Sequence, residues 1–446
     1  PRSTPLYSSA ASDVYKRQLI NNQSRRVNVY KFGGASVKDA AAVRNVVRIL
    51  KENKGNDKVV VLSAMGKTTN DLEAVINAYY AGNETWSGLL DTVFNKHEPI
   101  INDLFGNDGK AAKQAVKNII EKTREFLTQN HSRHYNFIYD QVVSIGEYIS
   151  TTIVSHFANK EGATNTLLDA KECVFTDNAY TEGRIDWRKT EKAIPEKVLP
   201  LTKIGFVITQ GFVGCTPEDF TTTLGREGSD YTAAIFSYAL NAERMTVWKD
   251  VEGIMNADPK EFPEAQFISE LSYHEAIEMT YYGASVIHPK TIKPIQNKHI
   301  PLEVRSFVNS AKRGSVISAN ANTNFLPPVI ITKKTQVLLS FTVKDFSFIA
   351  EDHLSLLFTK FAEHRLRVNM MQNQAISFSV VVDFKREKID NVIEELCSDF
   401  SITRIENLTL LTIRHFNDSI VSKLTSGKDI LLRQLSRTTL QVLMRD

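Results

Sequence analysis

The stretch VYKFGGASV, residues 29–37, decides the class of fold. Residues 27–32 have the apolar pattern of a buried strand, and two glycines follow directly. Apolar residues then recur at helical spacing between Val37 and Leu50, and residues 59–62 (VVVL) are typical of a second buried strand. A strand, a glycine turn, a helix and a strand in this order predict a parallel βαβ unit.

Alternating helices and strands continue along the chain. Residues 70–160 are mostly helical in their periodicity, and strand-like segments return at 163–168, 205–209 and 245–248. We therefore expect an α/β domain over residues 25–310, in which a sheet is sandwiched by helices.

The composition becomes typical of a linker at residues 311–334, where a stretch rich in Ser, Ala and Asn precedes Pro327 and Pro328. Residues 335–446 then indicate two small α+β units of similar plan. Their expected strands and helices are residues 337–343, 354–364, 376–382, 408–413, 419–432 and 440–443. The sequence thus predicts a sheet domain followed by a two-part C-terminal region.

Composition excludes several classes of protein. Of the 446 residues, 42% are hydrophobic, and no apolar run approaches the roughly 20 residues that a membrane span requires. The net charge of +3 comes without a block of Lys and Arg, so we expect neither a nucleic-acid nor a membrane partner. The three cysteines are far apart and lack a CxxC spacing, which favours a reducing, cytoplasmic location.

Residues 1–24 differ from the rest of the chain. They have no methionine start, no sustained apolar core and no clear cleavage signature, so a secretory signal is not expected. We expect a disordered or non-native leader. An organelle transit peptide is the alternative that the Arg and Ser content leaves open.

The turn Lys31-Phe32-Gly33-Gly34 is the first candidate for chemistry. Glycine has no Cβ, so backbone amides can approach an anion closely, and the helix that begins near Ser36 adds donors and a positive dipole end. Lys31 could then neutralise charge on a transferring phosphoryl group. No GxxxxGK[ST] or GxGxxG sequence occurs, which excludes the common rival phosphate loops. An ordinary tight turn with a solvated lysine is the alternative.

A second glycine-punctuated loop, TTTLGREGSD at residues 221–230, leads into a predicted helix at 231–240. The planar guanidinium of Arg226 suits a carboxylate, so this loop predicts the site of an acceptor substrate. A helix start capped by Ser229 or Asp230 is the alternative.

Further polar residues follow strands or lie on predicted helices. The segment VWKDVEGIMNADPK, residues 247–260, is a polar turn after a strand. Ser63, Thr69 and Glu147 are each, taken singly, more typical of a structural role than of a catalytic one. His288 precedes Pro289 and is interpreted as structural in the same way.

Taken together and in order from Lys31 to Pro289, these segments resemble the aspartate kinases of the amino-acid kinase family. The similarity rests on KFGG at 31–34, the Gly-Glu pair at 146–147, TTLGREGSD at 222–230, DVEGI at 250–254 and YGASVIHP at 282–289. The resemblance implies an amino-acid-kinase-like sheet sandwiched by helices, followed by paired ACT-like regulatory domains at 335–446.

The same resemblance implies the reaction and its residues. ATP would phosphorylate L-aspartate to 4-phospho-L-aspartate, the first step of lysine, threonine and methionine biosynthesis, with Mg²⁺ bridging the phosphates largely through water. The expected catalytic residues are Lys31, Arg226 and Asp230. The expected ATP contacts are Lys31, Gly33, Gly34, Ser36, Lys249, Asp250, Met255, Lys260, Ser285 and Val286. The expected aspartate contacts are Ser63, Thr69, Glu147, Arg226 and Ser229, and no metal is expected to be held by protein ligands alone.

A carboxylate acceptor explains which residue types are present. Its reference pKa is about 3.9, so it is already ionised at neutral pH and needs no general base. Positioning and charge neutralisation must therefore supply the catalysis. Lysine, arginine, glycine amides and hydroxyls suit that task.

Three residues depart from the family pattern. Glu227 stands where a glycine is usual, Lys260 where arginine is common and Met255 where several relatives have tyrosine. We expect changes in loop geometry and nucleotide contacts rather than in the reaction, and Glu227 could contact the substrate ammonium group.

Several alternatives within and outside the enzyme class stay open. Glutamate 5-kinase, acetylglutamate kinase and uridylate kinase share the expected fold, and a catalytically inactive amino-acid sensor is the candidate from a different class. The ACT-like region implies lysine or threonine as an effector and a homodimer or higher homo-oligomer. The length of 446 residues predicts no fused homoserine dehydrogenase.

Overall fold

The computed structural model describes residues 27–53, 55, 57–284, 287–321, 326–345 and 347–445. The predicted leader, residues 1–24, lies outside them. The chain divides into two compact units. Among the described residues, the first comprises 27–254, 269–273 and 287–321, and the second comprises 255–268, 274–284 and 326–445.

The first unit contains an eight-stranded sheet in the order β10-β12-β11-β7-β1-β2-β4-β3. Its strands are β1 (Asn28–Phe32), β2 (Lys58–Leu62), β3 (Asn165–Leu168), β4 (Phe206–Gln210), β7 (Arg244–Lys249), β10 (Glu270–Ser272), β11 (Leu302–Ser306) and β12 (Ser315–Ser318). Neighbouring strands run parallel except for the antiparallel pair β11–β12. Every residue of β2 and β4 is buried, as expected for parallel strands covered on both faces.

Helices connect and cover these strands. They are α1 (Ala40–Glu52), α2 (Thr68–Tyr80), α3 (Trp86–Phe105), α4 (Lys110–Gln129), α5 (Tyr135–Val143), α6 (Ile145–Lys160), α7 (Trp187–Leu201), α8 (Gly228–Ala239) and α10 (Pro289–Asn297). Two short strands, β5 (Val213–Cys215) and β6 (Thr221–Thr223), form a separate antiparallel pair. The predicted βαβ unit is confirmed, because β1 and β2 pair in parallel with α1 between them.

The order of strands fixes where the glycine turn lies. Strand β1 is flanked by β2 and β7, and Phe32 is in register with both Leu62 and Trp248. The Phe32 and Trp248 rings stack with centroids 5.7 Å apart. Because the three strands are parallel, the segments after them meet at one edge of the sheet.

The second unit contains a six-stranded antiparallel sheet in the order β14-β15-β13-β16-β18-β17. Its strands are β13 (Val329–Val343), β14 (Val368–Asn373), β15 (Ser377–Asp383), β16 (Phe400–Arg414), β17 (Asp429–Leu435) and β18 (Thr439–Arg445). Its helices are α11 (Glu351–Glu363), α12 (Arg386–Leu396) and α13 (Asp418–Thr425). Helix α9 (Tyr273–Tyr282) belongs to it from residue 274 onward, and β8 (Ile254–Met255) pairs with β9 (Phe267–Ile268).

The predicted α+β class of this region is confirmed, because helices α11, α12 and α13 accompany an antiparallel sheet. The strands of the two predicted units join in this one sheet, because β13 and β16 are each 15 residues long and pair along nearly their whole length. One expectation needs correction. Residues 429–432, expected to be helical, lie in strand β17, because the helix ends at Thr425 and Gly427 turns the chain at φ +73°.

The segment 311–334, expected to be a linker, contains β12 and the start of β13. Gly314 lies where a Cβ would be 2.2 Å from the Val304 carbonyl oxygen, so the glycine allows a close hairpin between β11 and β12. The domain boundaries given above stay predictions. Among the described residues, no helix is both long and apolar enough to cross a membrane.

Candidate active site

A cavity of about 740 Å³ opens at the edge of the first unit's sheet where β1, β2 and β7 end. Residues after each of these strands line it: Gly33 and Gly34 after β1, Ser63 after β2, and Asp250 after β7. The N-terminal turn of α8 and residues from α5 and α6 complete the wall. The cavity thus occupies the position where open parallel sheets bind ligands.

Lys31 and Asp230 form an ion pair inside this cavity. The Lys31 Nζ and Asp230 Oδ1 atoms are 2.6 Å apart, and the two side chains are 12% and 6% exposed. Asp230 lies in the first turn of α8, where a carboxylate also interacts favourably with the helix dipole. The pair fixes the position of the lysine ammonium group next to the glycine turn.

The glycine turn is shaped by close approaches that a side chain would prevent. A Cβ at Gly34 would be 2.7 Å from the Ala64 carbonyl oxygen, and one at Gly33 would be 3.3 Å from Lys31 Nζ. A 3₁₀ turn, Gly34–Val37, follows and contains the buried Ser36. Gly33, Gly34 and Ser36 line the cavity together with Lys31, and a glycine turn that leads into a helical turn is a suitable place for a phosphate.

Glu147 supplies a buried carboxylate on the first turn of α6. Its Oε1 accepts a hydrogen bond from the Ala64 amide at 3.3 Å, and its Oε2 is buried with no hydrogen-bond partner among the described residues. Burial raises the pKa of this carboxyl to about 8, although the Ala64 amide and the charge of Lys31 oppose the shift. Such an oxygen is suited to a cationic group of a ligand, because an unsatisfied buried carboxylate is otherwise costly.

The loop between β6 and α8 presents Arg226. Gly225 and Glu227 both have left-handed backbone conformations, with φ of +73° and +54°, so the chain turns sharply on either side of the arginine. Helix α8 begins at Gly228, with Glu227 at its N-cap position and no side-chain cap. Ser229 and Asp230 therefore lie inside the helix and not at its cap, which rules out the capping interpretation of these two residues.

A hydrogen bond between Glu227 and His288 connects this loop to the start of α10. The Glu227 carboxylate accepts a hydrogen bond from the His288 amide at 3.2 Å. His288 caps α10, its Nδ1 accepting from the Lys290 amide at 3.2 Å, which supports the structural interpretation of this histidine. Lys290 in turn donates to the Leu224 carbonyl oxygen at 2.9 Å.

Most of the predicted site residues come together. Those that line the cavity are Lys31, Gly33, Gly34, Ser36, Ser63, Thr69, Glu147, Arg226, Ser229, Asp230, Lys249 and Asp250. Met255 and Lys260 belong to the second unit. Ser285 and Val286 lie outside the described residues, so their expected ATP contacts stay predictions.

The sequence did not predict several residues that line the same cavity. They are Tyr135, Tyr139, Thr181, Glu182 and Phe212. The Tyr139 hydroxyl donates to Glu73 at 2.8 Å, and burial, together with that carboxylate, raises the tyrosine pKa. No local motif marks these positions, because the tertiary fold brings α5 and the loop before α7 to the cavity.

Fold and site together define the class of protein. The model of the amino acid kinase family matches residues 26–306, more than half of the chain, and the chain belongs to that family. The chain is also similar to individual aspartokinases. Over 296 residues it is 33% identical to the chloroplastic bifunctional aspartokinase/homoserine dehydrogenase 1 of Zea mays, an alignment that covers 65% of this chain and 32% of that protein.

Relatives of comparable length resemble the chain over most of its residues. Lysine-sensitive aspartokinase 3 of Escherichia coli is 29% identical over 356 residues, covering 80% of this chain and 78% of the relative. The solved structure of E. coli aspartokinase III with lysine and aspartate has a TM-score of 0.78 and 26% identity, covering 94% of this chain and 95% of that one. The structure of the same enzyme with aspartate and ADP has a TM-score of 0.77 and 26% identity, covering 94% of this chain and 96% of that one.

Proposed function

We propose that the chain transfers the terminal phosphoryl group of ATP to the side-chain carboxylate of L-aspartate, giving 4-phospho-L-aspartate. One observation carries the proposal: the glycine turn with Lys31 and the loop with Arg226 line a single cavity. A phosphate donor and a carboxylate acceptor can therefore meet there. The similarity to E. coli aspartokinase III, whose structures contain aspartate and ADP, supports the same reaction.

Residue roles follow from the chemistry of each side chain. For ATP we propose the phosphate turn Lys31, Gly33, Gly34 and Ser36, together with Lys249 and Asp250. For aspartate we propose Ser63, Thr69, Glu147, Arg226 and Ser229. Arg226 suits the α-carboxylate and the buried oxygen of Glu147 suits the ammonium group, which leaves the β-carboxylate to react.

The reacting carboxylate is ionised before the step, so the protein does not need a general base. Catalysis then consists of holding two anionic groups together and neutralising the charge between them. Lys31 supplies that positive charge, and Asp230 keeps its ammonium group in place at 2.6 Å. The proposed catalytic set is therefore Lys31, Arg226 and Asp230.

Magnesium fits the same cavity. The carboxylates of Asp230 and Asp250 line it beside the glycine turn and are oxygen ligands of the kind that Mg²⁺ prefers. A bound Mg²⁺ would supply neutralisation of phosphate charge. We propose that phosphates and water provide the remaining ligands.

A coupled assay of ADP release tests the activity and its acceptor together. Purified protein with ATP and Mg²⁺ is given L-aspartate, L-glutamate or N-acetyl-L-glutamate in separate reactions. We expect turnover with aspartate and little with the longer acceptors, because Arg226 and Glu147 would fix the α-carboxylate and the α-ammonium group, so that a longer side chain would carry its carboxylate past the phosphoryl group. Turnover with glutamate alone would identify a different member of the family, and no turnover with any acceptor would favour an inactive sensor.

Regulation is a second part of the proposal. The E. coli relative is named as lysine-sensitive, and its solved structure contains lysine. We propose that lysine, or else threonine, inhibits this chain through the second unit, and that the enzyme acts early in the biosynthesis of lysine, threonine and methionine. Flat activity across millimolar titrations of both amino acids would exclude that regulation.

We also propose a cytoplasmic homo-oligomer, a dimer or larger, which sedimentation of the purified chain would test.

A further inference from the structure

A buried carboxylate that the proposed mechanism does not use lies behind the cavity wall. Asp140 is on α5, next to the cavity-lining Tyr139, and is 0% exposed. Its Oδ2 accepts hydrogen bonds from the backbone amides of Thr181, at 2.8 Å, and Thr223, at 2.9 Å. Its Oδ1 accepts from the Thr223 hydroxyl at 2.7 Å. One side chain thus joins two loops that are far apart in sequence.

The first of these loops has an unfavourable backbone conformation at the contact. Thr181 has a φ of +70°, a region that β-branched residues rarely occupy. Such a conformation persists only where surrounding contacts enforce it. The hydrogen bond from its amide to Asp140 is such a contact, and Thr181 and Glu182 both line the cavity.

The second loop is the one that presents Arg226. Thr223 is the last residue of β6, and Leu224, Gly225 and Arg226 follow directly. A Cβ at Gly225 would be 3.3 Å from both the Thr181 carbonyl oxygen and the Glu182 side chain. The two loops therefore pack directly on each other, and Asp140 binds the backbone of both.

The carboxylate form is what these contacts require. Three donors point at two oxygens, and burial raises the pKa of Asp140 to about 6 while the hydrogen bonds from Thr181 and Thr223 oppose the rise. An asparagine of the same shape has one acceptor oxygen, which could serve the two amides only if its amino group faced the Thr223 hydroxyl, and it lacks the negative charge that strengthens all three hydrogen bonds. The isosteric change therefore weakens the contacts to both loops without leaving a cavity.

We infer that Asp140 is a positioning residue for the acceptor substrate: it holds the loops at 181–182 and 223–226 together so that Arg226 meets the acceptor carboxylate. Asp140 touches no reacting atom itself. The inference rests on the proposed function, since it assigns the Arg226 loop to the acceptor. It predicts an effect on one substrate and not on the other, because the phosphate turn at 33–36 has no hydrogen bond to Asp140 among its described contacts.

Steady-state kinetics of Asp140→Asn in the full chain test this inference. We expect the KM for L-aspartate to rise about tenfold or more, since small displacements of positioning groups are costly, while the KM for ATP stays within about twofold. The matched control is Asp186→Asn. Asp186 also accepts a backbone hydrogen bond, from Lys189 at 3.1 Å, but it caps α7 and does not line the cavity, so both KM values should stay near wild type.

A double variant separates positioning from a general loss of stability. Glycine adopts a positive φ without strain, so Thr181→Gly should let the first loop keep its conformation when the Asp140 contact is weakened. We expect Asp140→Asn/Thr181→Gly to recover part of the lost aspartate affinity. Thr223→Val removes only the hydroxyl donor and should raise the KM for aspartate by a smaller factor. This variant tests the same contact if Asp140→Asn does not fold.

The outcomes distinguish this inference from the proposed function. If wild type uses aspartate and the folded Asp140→Asn variant keeps its aspartate KM, or raises both KM values equally, Asp140 has no positioning role. If wild type uses no acceptor, the proposed function fails, and hydrogen exchange of the Thr181 and Thr223 amides tests the contact directly. Faster exchange at both amides in Asp140→Asn supports it, and unchanged exchange overturns it.

Discussion

The ammonium group of Lys31 and the carboxylate of Asp230 are 2.6 Å apart in a largely buried setting. Removing charges from water is costly unless they are paired, so this arrangement holds the lysine in one place at the expense of stability. A lysine kept for structure alone would not need to face an open cavity. The pair therefore supports the proposed role of Lys31 as a fixed positive charge for the phosphoryl group.

Lys31→Met tests that role. The change removes the charge but keeps most of the apolar stem, so we expect kcat to fall by about 10²- to 10³-fold, the range found when one charge-stabilising group is lost. Circular dichroism should remain native. Lys197→Met, which breaks an exposed pair with Glu172, is the control and should retain wild-type kcat. Near-normal turnover in Lys31→Met would mean that the phosphate assignment is wrong.

The proposed contact between Glu147 and the substrate ammonium group predicts that aspartate binding depends on pH. Burial raises its pKa to about 8, above its ordinary value, so the folded protein holds a proton there that the unfolded chain releases at lower pH. Between the unfolded pKa and about 8, the folded state binds more protons than the unfolded chain, so the free energy of unfolding decreases as pH rises through that window.

Ligand binding has the opposite dependence, because the substrate ammonium group needs the ionised carboxylate. We expect aspartate affinity, measured by calorimetry, to increase between about pH 6.5 and pH 8.5, with a proton released on binding. Glu147→Gln should weaken binding and remove this dependence, while ATP affinity should be unchanged. A pH-independent aspartate affinity in the wild type would show that Glu147 does not bind the ammonium group.

Sequence patterns predict residues that line the cavity only where a motif is local. Lys31, Gly33, Gly34 and the Arg226 loop lie in short stretches whose spacing indicates their chemistry. Tyr139, Asp140 and Thr181 lie in an amphipathic helix and an irregular loop, where nothing distinguishes them from ordinary structural residues. Their roles depend on hydrogen bonds between segments distant in sequence, such as Asp140 to Thr223, and a pattern along the chain cannot show these.

At the scale of elements, the start of α8 carries backbone strain. Glu227 has a φ of +54°, a conformation that favours glycine, and the family pattern has glycine at this position. Glutamate in place of the usual glycine at position 227 thus puts a residue with a side chain into a left-handed backbone conformation. Its carboxylate accepts a hydrogen bond from the His288 amide, which offsets a part of the strain.

We expect Glu227→Gly to raise the free energy of unfolding by about 0.5–1 kcal/mol, since relief of strain outweighs an exposed hydrogen bond and the added flexibility of the unfolded chain. Denaturant titration measures this. Asn241→Gly is the matched control: Asn241 has a φ of +48°, which asparagine tolerates, so its gain should be smaller. A lower free energy of unfolding in Glu227→Gly would show that Glu227 is not strained. A weaker aspartate affinity in the same variant would support contact between Glu227 and the substrate ammonium group.

Element types were predictable where hydrophobic periodicity is strong. Strands β1, β2, β4 and β7 and helix α8 lie within a few residues of their expected positions. The prediction of a helix at residues 429–432 was wrong for a local reason. Helix α13 has no buried residue, so no apolar face of the helix shows from the sequence where it ends. Gly427, with φ +73°, marks the true end of that helix.

At the scale of the whole molecule, sequence order and compact units do not coincide. The family match extends over residues 26–306, yet residues 255–268 and 274–286 cluster with the C-terminal unit. The single six-stranded sheet likewise could not be predicted, because periodicity indicates strands but not their neighbours or their order. Long-range pairing, such as that of β13 with β16, decides both.

A buried ion pair in the second unit explains how one of these segments is held. The Arg414 guanidinium donates to both oxygens of Glu275, at 2.7 and 2.8 Å, and to Glu278 at 2.8 Å. Burial alone would raise the pKa of Glu275, but the hydrogen bonds and charge of Arg414 outweigh it, so the pKa lies below its ordinary value. This carboxylate therefore stabilises the fold above the unfolded pKa, and that contribution is lost as pH falls through the folded pKa.

Arg414→Met should lower the free energy of unfolding by about 3 kcal/mol, because it leaves Glu275 charged and buried without its main partner. The loss should shrink in acidic solution, where Glu275 is protonated. Lys423→Met is the control: its exposed pair with Glu264 should contribute less than about 1 kcal/mol. Equal losses of unfolding free energy in the two variants, measured by denaturant titration, would show that the buried ion pair contributes no more to stability than the exposed one.

The central claim is that the phosphoryl group is transferred to the side-chain carboxylate of aspartate, and trapping the product tests it most directly. An acyl phosphate reacts with hydroxylamine to give a hydroxamate at the carbon that carried the phosphate. Incubation of the protein with ATP, Mg²⁺, L-aspartate and hydroxylamine should give aspartate β-hydroxamate, identified by mass spectrometry and NMR, in amounts equal to the ADP formed. Aspartate α-hydroxamate, formed at the α-carboxyl group, or ADP release without hydroxamate, would contradict the account.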